Sequence, residues 1–284
     1  MSAFGLALVL MAAVCHASWN FLAKRIHGGA ELVWMFSTLS SILYFPLAAW
    51  IFWQADSFTV MQWLFIAGSA VLHLFYFVLL QAGYRNGDLS LVYPTARSMG
   101  PLVAMVLAVI FLSEYPTLQG GIGAAIIIGG VFALTGGGRH GGANASKSLM
   151  FGVGVGLLIG SYTTWDAYGV AVLAVPPLLM DYGANLGRGL MLWPTAVKRR
   201  ALVAQHWRNH RPEVIGIALL SPLAYILVLY AMTFTPVAYV APLREVSVLL
   251  SVLAGSLLLG EGHLKHRLKW AAVILIGVMT LATS

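Results

Sequence analysis

Charge is what this sequence is shortest of. Only 9% of its 284 residues are charged, 16 Lys and Arg against 9 Asp and Glu, where an ordinary soluble domain carries roughly a quarter. A chain this poor in charge and 60% hydrophobic cannot clothe a water-facing surface, which excludes a soluble globular domain and implies an integral membrane protein. Cysteine is nearly absent too: Cys15 stands alone, so no intramolecular disulfide exists. There is no P-loop, no G-x-G-x-x-G after a strand, no Cys/His metal spacing and no G-x-S-x-G elbow. Nothing therefore points to a soluble enzyme, a cofactor or a metal site. The basic excess forms no stripe or tail, which speaks against nucleic acid; short basic groups between apolar runs fit orientation in a bilayer instead. The runs also lack the in-out alternation of a membrane β-barrel. The first run has neither a basic start nor an A-x-A-like cleavage site, so it reads as a helix and not as a signal peptide.

A spanning helix needs about 20 mainly apolar residues. That measure predicts ten transmembrane helices at 3–23, 31–53, 60–83, 89–112, 118–135, 149–173, 175–196, 213–233, 236–259 and 267–283. Two longer connections interrupt them. One is Gly/Ser-rich, 136–148, and reads as a cytoplasmic linker between a first half, 1–135, and a second, 149–284. The other, Lys198 to Arg211, is rich in Arg, His and Lys and reads as a loop. Lys and Arg occur in the loops after the odd-numbered helices and in none after helices 2, 4, 6 and 8. The positive-inside bias then puts the odd loops in the cytoplasm and both termini on the outer face of the cell (inner) membrane.

The two halves repeat. Shifting by 147 positions lays Ala96-Arg97-Ser98 on Leu243-Arg244-Glu245 and Glu114 on Glu261; a shift of 146 lays Ser18-Trp19-Asn20 on Thr164-Trp165-Asp166. Five helices per half is an odd number, so the second copy must enter the membrane upside down. The expected fold is an all-α membrane protein of two inverted five-helix repeats, the arrangement of alternating-access transporters with a site near the midplane between repeats.

The motifs His16-Ala17-Ser18-Trp19-Asn20 with Lys24, Gly87-Asp88-Leu89-Ser90-Leu91-Val92-Tyr93-Pro94 with Arg97, and a glutamate closing helices 4 and 9 resemble the drug/metabolite transporter superfamily of EamA type. The resemblance covers essentially the whole chain and implies a multi-pass exporter of amino acids, drugs or other metabolites. A departure is that the second half carries Thr233-Phe234-Thr235-Pro236 where the first has its Gly-Asp-Leu-Ser lead-in, so the two halves of a site are not chemically equivalent.

Arg97 stands about 8 residues into its helix, roughly 12 Å at 1.5 Å per residue, close to the midplane. A guanidinium there costs roughly 3 kcal/mol or more, and Arg244 repeats it. In one reading the two flank a cavity and grip an anionic group bidentately; in the other each pairs with a buried acid and pins helices. Intramembrane Asp166, Asp181 and Glu245 equal Arg97, Arg188 and Arg244 in number, so the buried charge can sum to zero. Asp181, Asn185 and Arg188 share one helix face, with Asn185 placed to bridge the charges. The expected substrate site comprises Arg97, Arg244, Trp19, Asn20, Trp165, Asp166, Tyr93, His16 and Glu245. A zwitterion would put its carboxylate on the arginines and its amine against Asp166 and the tryptophans. His16 is a candidate protonation switch against the commoner role of a packed histidine, and an intramembrane acid is a candidate for proton coupling. Tyr76, Tyr84, Tyr225 and Tyr230 are further aromatic candidates, set against the abundance of aromatics at membrane interfaces. Gly152, Gly156 and Gly160 form a small-residue stripe suited to close helix packing, and Glu114 and Glu261 read as helix-end caps. The partners expected are a small-molecule substrate, lipid and, over helices 5 and 10, a second copy in a homodimer. The alternatives are a drug or cation efflux protein of the same fold, a membrane enzyme and an assembly factor.

Overall fold

A computed structural model describes residues 1–26, 28–55, 57–87, 89–134, 145–258 and 264–284; Glu261, Asp88 and most of the expected linker lie outside them. Every element among the described residues is a helix: α1 Ala3–Ile26, α2 Ala30–Gln54, α3 Val60–Asn86, α4 Leu89–Phe111, α5 Leu118–Leu134, α6 Ala145–Ala171, α7 Pro177–Lys198, α8 Arg200–Asn209, α9 Arg211–Met232, α10 Val237–Arg244, α11 Val246–Leu258 and α12 Leu264–Ala282. Helix is the form in which a lipid-embedded segment satisfies its own backbone. Six helices, α1, α2, α3, α4, α6 and α9, are long and apolar enough to cross a membrane by length and composition. Their outward faces bear large apolar side chains, among them Ile42, Phe75, Val106 and Leu219, as a lipid-facing surface requires.

Three boundaries differ from the sequence expectation. α6 begins at Ala145, inside the expected linker. The supposed basic loop after α7 is the helix α8, none of whose residues is buried; its composition of Arg, His and Gln hid a run of good helix formers. The helix expected over 236–259 is two helices, broken at Glu245. Pro242 removes an amide from the ladder, and three-residue bonds from Glu245 N to Pro242 O (3.0 Å) and from Val248 N to Glu245 O (2.9 Å) carry the chain through the break.

The packing has the symmetry of an exchange of halves. α4 lies on α6 while α1 lies on α10 and α11; α3 lies on α6 while α1 lies on α9; α2 with α7, and α5 with α12, pair across the exchange. The glycine stripe of α6 is what seats α4. A Cβ on Gly152 would stand 2.6 Å from Thr95 Cβ, one on Gly156 2.4 Å from Met99 Cβ, and one on Gly160 2.4 Å from Val103 Cγ1, so only glycine permits the approach. Gly123 and Gly277 bring α5 and α12 together in the same way.

One end of the bundle is tied shut. The Glu114 carboxylate, in the connection after α4, accepts the backbone amides of Val237 (2.7 Å) and Ala238 (2.9 Å). α10 follows Pro236 without a side-chain cap of its own, so Glu114 supplies from a neighbouring element the anion that a helix N-terminus favours. Beside it the Tyr239 hydroxyl accepts from Thr117 N at 3.2 Å, and Phe4 stacks on Phe234 with centroids 5.8 Å apart.

Candidate functional site

Between the halves lies a cavity of about 360 Å³. It runs from the middle of α1, α9 and α10 towards the end where α1 joins α2 and α3 joins α4, with Gly28, Gly29 and Tyr84 in its wall there. No residue of the end tied by Glu114 lines it. Its volume falls within the range of small-ligand pockets, about 300–1,000 Å³.

Of the expected site residues, Arg97, Arg244, Trp19, Asn20, Tyr93 and His16 line this cavity; Trp165, Asp166 and Glu245 do not. Trp165 turns to α3, where its indole donates to Phe65 O at 2.8 Å and stacks on the Phe65 ring, centroids 4.1 Å apart. Gly68 leaves the space that the indole fills. The sequence symmetry between Trp19 and Trp165 is thus not kept in their surroundings: Trp19 packs on Phe36 and His16 beside the cavity, with its Nε1 enclosed and without an acceptor. Asn20 donates to His16 O at 2.8 Å within its own helix, leaving its carbonyl oxygen for other partners.

The three intramembrane arginines have three different solutions. Arg97 Nε lies 3.0 Å from Glu245 Oε2. Neither atom has a hydrogen-bond partner of acceptable angle, so the contact is Coulombic, and Nη2 reaches Ser247 Oγ at 3.4 Å. Arg188 Nη2 donates to Asn185 Oδ1 at 2.6 Å, and Asn185 Nδ2 donates to Asp181 Oδ2 at 2.9 Å, so the relay expected from spacing within one helix is made. Arg244 has no carboxylate within 4.0 Å among the described residues. Its guanidinium lies 5.4 Å from the centroid of the Tyr225 ring and donates to Thr163 Oγ1 at 3.3 Å. The two arginines that match in sequence are therefore not equal anchors: Arg97 is compensated, and Arg244 faces the cavity with its charge uncompensated at contact distance.

Asp166 is wholly enclosed. The Tyr225 hydroxyl donates to its Oδ2 at 2.5 Å, and the cavity wall in front of it is made by Tyr225, Tyr162 and His73. His73 was not among the expected site residues. Its signal was present in α3 as a polar and aromatic stripe, Ser69, His73, Tyr76 and Tyr84, at helical spacing. His73 and Tyr162 lie with centroids 4.2 Å apart, and Tyr76 meets Tyr162 edge-on at 5.6 Å, so this wall is a cluster of rings. Tyr76, Tyr84 and Tyr225 line the cavity while Tyr230 does not.

The sequence model of a family described as the EamA-like transporter family matches residues 3–136 and again residues 146–283. The chain belongs to this family, and it is a multi-pass membrane protein of two repeats. No curated protein matches it. A crystal structure described only as "Crystal structure of protein" superposes with a TM-score of 0.74 at 13% identity, covering 100% of this chain and 98% of that one. At that identity the likeness concerns the fold alone.

Proposed function

We propose that this protein is a secondary transporter that exports a small anionic or zwitterionic, amino-acid-like metabolite across the cell membrane by alternating access of its two inverted repeats. The observation that carries the reading is Arg244, a guanidinium facing the central cavity with no acid at contact distance among the described residues, while Arg97 and Arg188 are compensated by Glu245 and Asp181. An uncompensated cation at this depth is costly unless a ligand anion completes it. A carboxylate or phosphonate sits on Arg244, and the rest of the molecule lies among Trp19, Tyr76 and Tyr162, with an amine against these rings and the Asn20 carbonyl oxygen. The cavity reaches the end holding the basic connections after α1 and α3, which the positive-inside bias assigns to the cytoplasm, so it is placed to take up a cytoplasmic ligand; the end tied by Glu114 is then the outer one, with both termini. Ten spans follow if α10 and α11 cross as one broken helix and α8 lies along the surface.

A cation-exporting protein of the same fold would draw on the same aromatic wall, but Arg244 opposes a cationic ligand. The test is a thermal-shift panel of amino acids, phosphonates, phosphates and cationic drugs on purified protein, since a ligand of the folded state raises its stability by mass action. Anionic or zwitterionic compounds are expected to shift the wild type. Arg244→Lys, which loses the bidentate fork, should lose at least tenfold in affinity, about 1.4 kcal/mol, while still purifying. Stabilisation by cationic drugs alone, or undiminished binding in Arg244→Lys, would overturn the proposal.

A further inference from the structure

The enclosed carboxyl of Asp166 plays no part in the contacts just described. Oδ2 receives the Tyr225 hydroxyl hydrogen and the Ser69 hydroxyl lies near the carboxyl, but Oδ1 is buried and makes no hydrogen bond of good geometry. Across from it His73 Nδ1 lies 2.9 Å from Ser69 O. A carbonyl only accepts, so Nδ1 carries the hydrogen, and in the neutral ring Nε2 presents a bare lone pair. That Nε2 lies 3.9 Å from Asp166 Oδ2. Two acceptors thus face each other, Asp166 wholly enclosed and His73 in the cavity wall. One added proton, on either of them, turns an unfavourable pair into a favourable one, and the pair titrates as a unit.

The charges around the site come from every helix packed on it. α3 brings His73 and Ser69, and α9 brings Tyr225. α7 brings Asp181 and Arg188, which are closed on each other through Asn185. α4 brings Arg97, closed on Glu245. α10 brings Arg244, which acts on Asp166 at long range across the Tyr225 ring and is not in contact with it. Arg244 is accordingly the one cation of this set with no acid bridged to it or at contact distance; Glu245, closed on Arg97, acts on it only at longer range.

We infer that Asp166 and His73 form a proton-binding site at the cavity wall, with the Tyr225 hydroxyl as the route to the enclosed Asp166, and that a proton there and an anion at Arg244 favour each other's binding. Tyr225 lines the cavity and Asp166 does not. The hydroxyl both donates and accepts, so it takes a proton from cavity water on its oxygen as it passes its own hydrogen to Oδ2, and the tyrosine ends unchanged. With Asp166 neutral, Arg244 loses its long-range counter-charge and holds a ligand anion more strongly; by reciprocity a bound anion favours the proton. The anion half of this statement rests on the transport reading above, and the proton half does not.

Infrared difference spectroscopy of the full-length protein in nanodiscs tests it without any substrate. A protonated carboxylic C=O band should bleach as the buffer is made alkaline, and it should be lost in Asp166→Asn. Arg244→Gln should leave the band standing over about one further pH unit, the scale of a nearby opposite charge. Tyr225→Phe should keep the band but slow its exchange in heavy water about tenfold. A band unchanged in Asp166→Asn, or a titration indifferent to Arg244→Gln, would overturn the inference. Should Asp166→Asn fail to purify, His73→Gln must alter the same titration, and no alteration refutes the shared site. A band that behaves as expected in a protein that binds no member of the anion panel sinks the transport reading and leaves the proton site standing.

Discussion

Removing the Glu114 side chain should loosen the closed end of the bundle. In Glu114→Ala the amides of Val237 and Ala238 lose acceptors at 2.7 and 2.9 Å, and both residues are almost fully buried, so water replaces the carboxylate poorly. A hydrogen bond to a charged group is worth about 1.5–3 kcal/mol. Glu114 itself is partly exposed, which puts the two bonds together at about 2–3 kcal/mol. At about 2–4 °C per kcal/mol for a chain of this general size, thermal unfolding in detergent should begin about 4–12 °C lower. Glu114→Gln keeps one acceptor oxygen and should cost about half as much. The pH dependence has a definite sign. Burial pushes the Glu114 carboxyl above its ordinary range, outweighing the two amides that favour the carboxylate. A carboxyl raised on folding contributes stability that is fully present below its unfolded value and is lost as pH rises through the folded one. Wild type should therefore lose stability relative to Glu114→Gln as the buffer moves from acidic towards neutral. An alanine variant that unfolds within about 1 °C of wild type, or a glutamine variant worse than alanine, would refute the account of Glu114 as the cap of α10.

The buried pair of Arg97 and Glu245 should behave asymmetrically: Arg97→Gln or Glu245→Gln alone leaves an enclosed charge and should cost about 3–5 kcal/mol, while the double Arg97→Met/Glu245→Leu variant should cost less than either. Thermal unfolding monitored by size-exclusion reads all three, and additive losses would show that the two side chains do not act as a pair. Reporter fusions after Arg139 and after Arg208 should mark cytoplasmic connections and a fusion at Ser284 the outer face; a cytoplasmic signal at Ser284 would reverse the orientation argued from the basic loops.

Whatever depends on spacing along one helix could be read from the sequence by itself. Apolar runs placed most helices, because a lipid-crossing segment must be long, apolar and self-bonded. The shift that lays Arg97 on Arg244 exposed the repeat. The stripe Gly152, Gly156, Gly160 announced a close contact, and Asp181, Asn185 and Arg188 could be joined because residues one and two turns apart on a helix are neighbours whatever surrounds them. Tertiary structure alone decided everything that depends on how each helix is rotated against the next. It brought Glu245 to Arg97, a distant residue in the chain, and left Arg244, its immediate neighbour, with Thr163 and the Tyr225 ring. It turned Trp165 to Phe65 while Trp19 stayed at the cavity, and it set Asp166 behind Tyr225 with His73 across from it. Those rotations are fixed by ridges meeting grooves and by which glycines let backbones close, quantities summed over contacts between segments far apart in the chain. Local spacing holds no record of them.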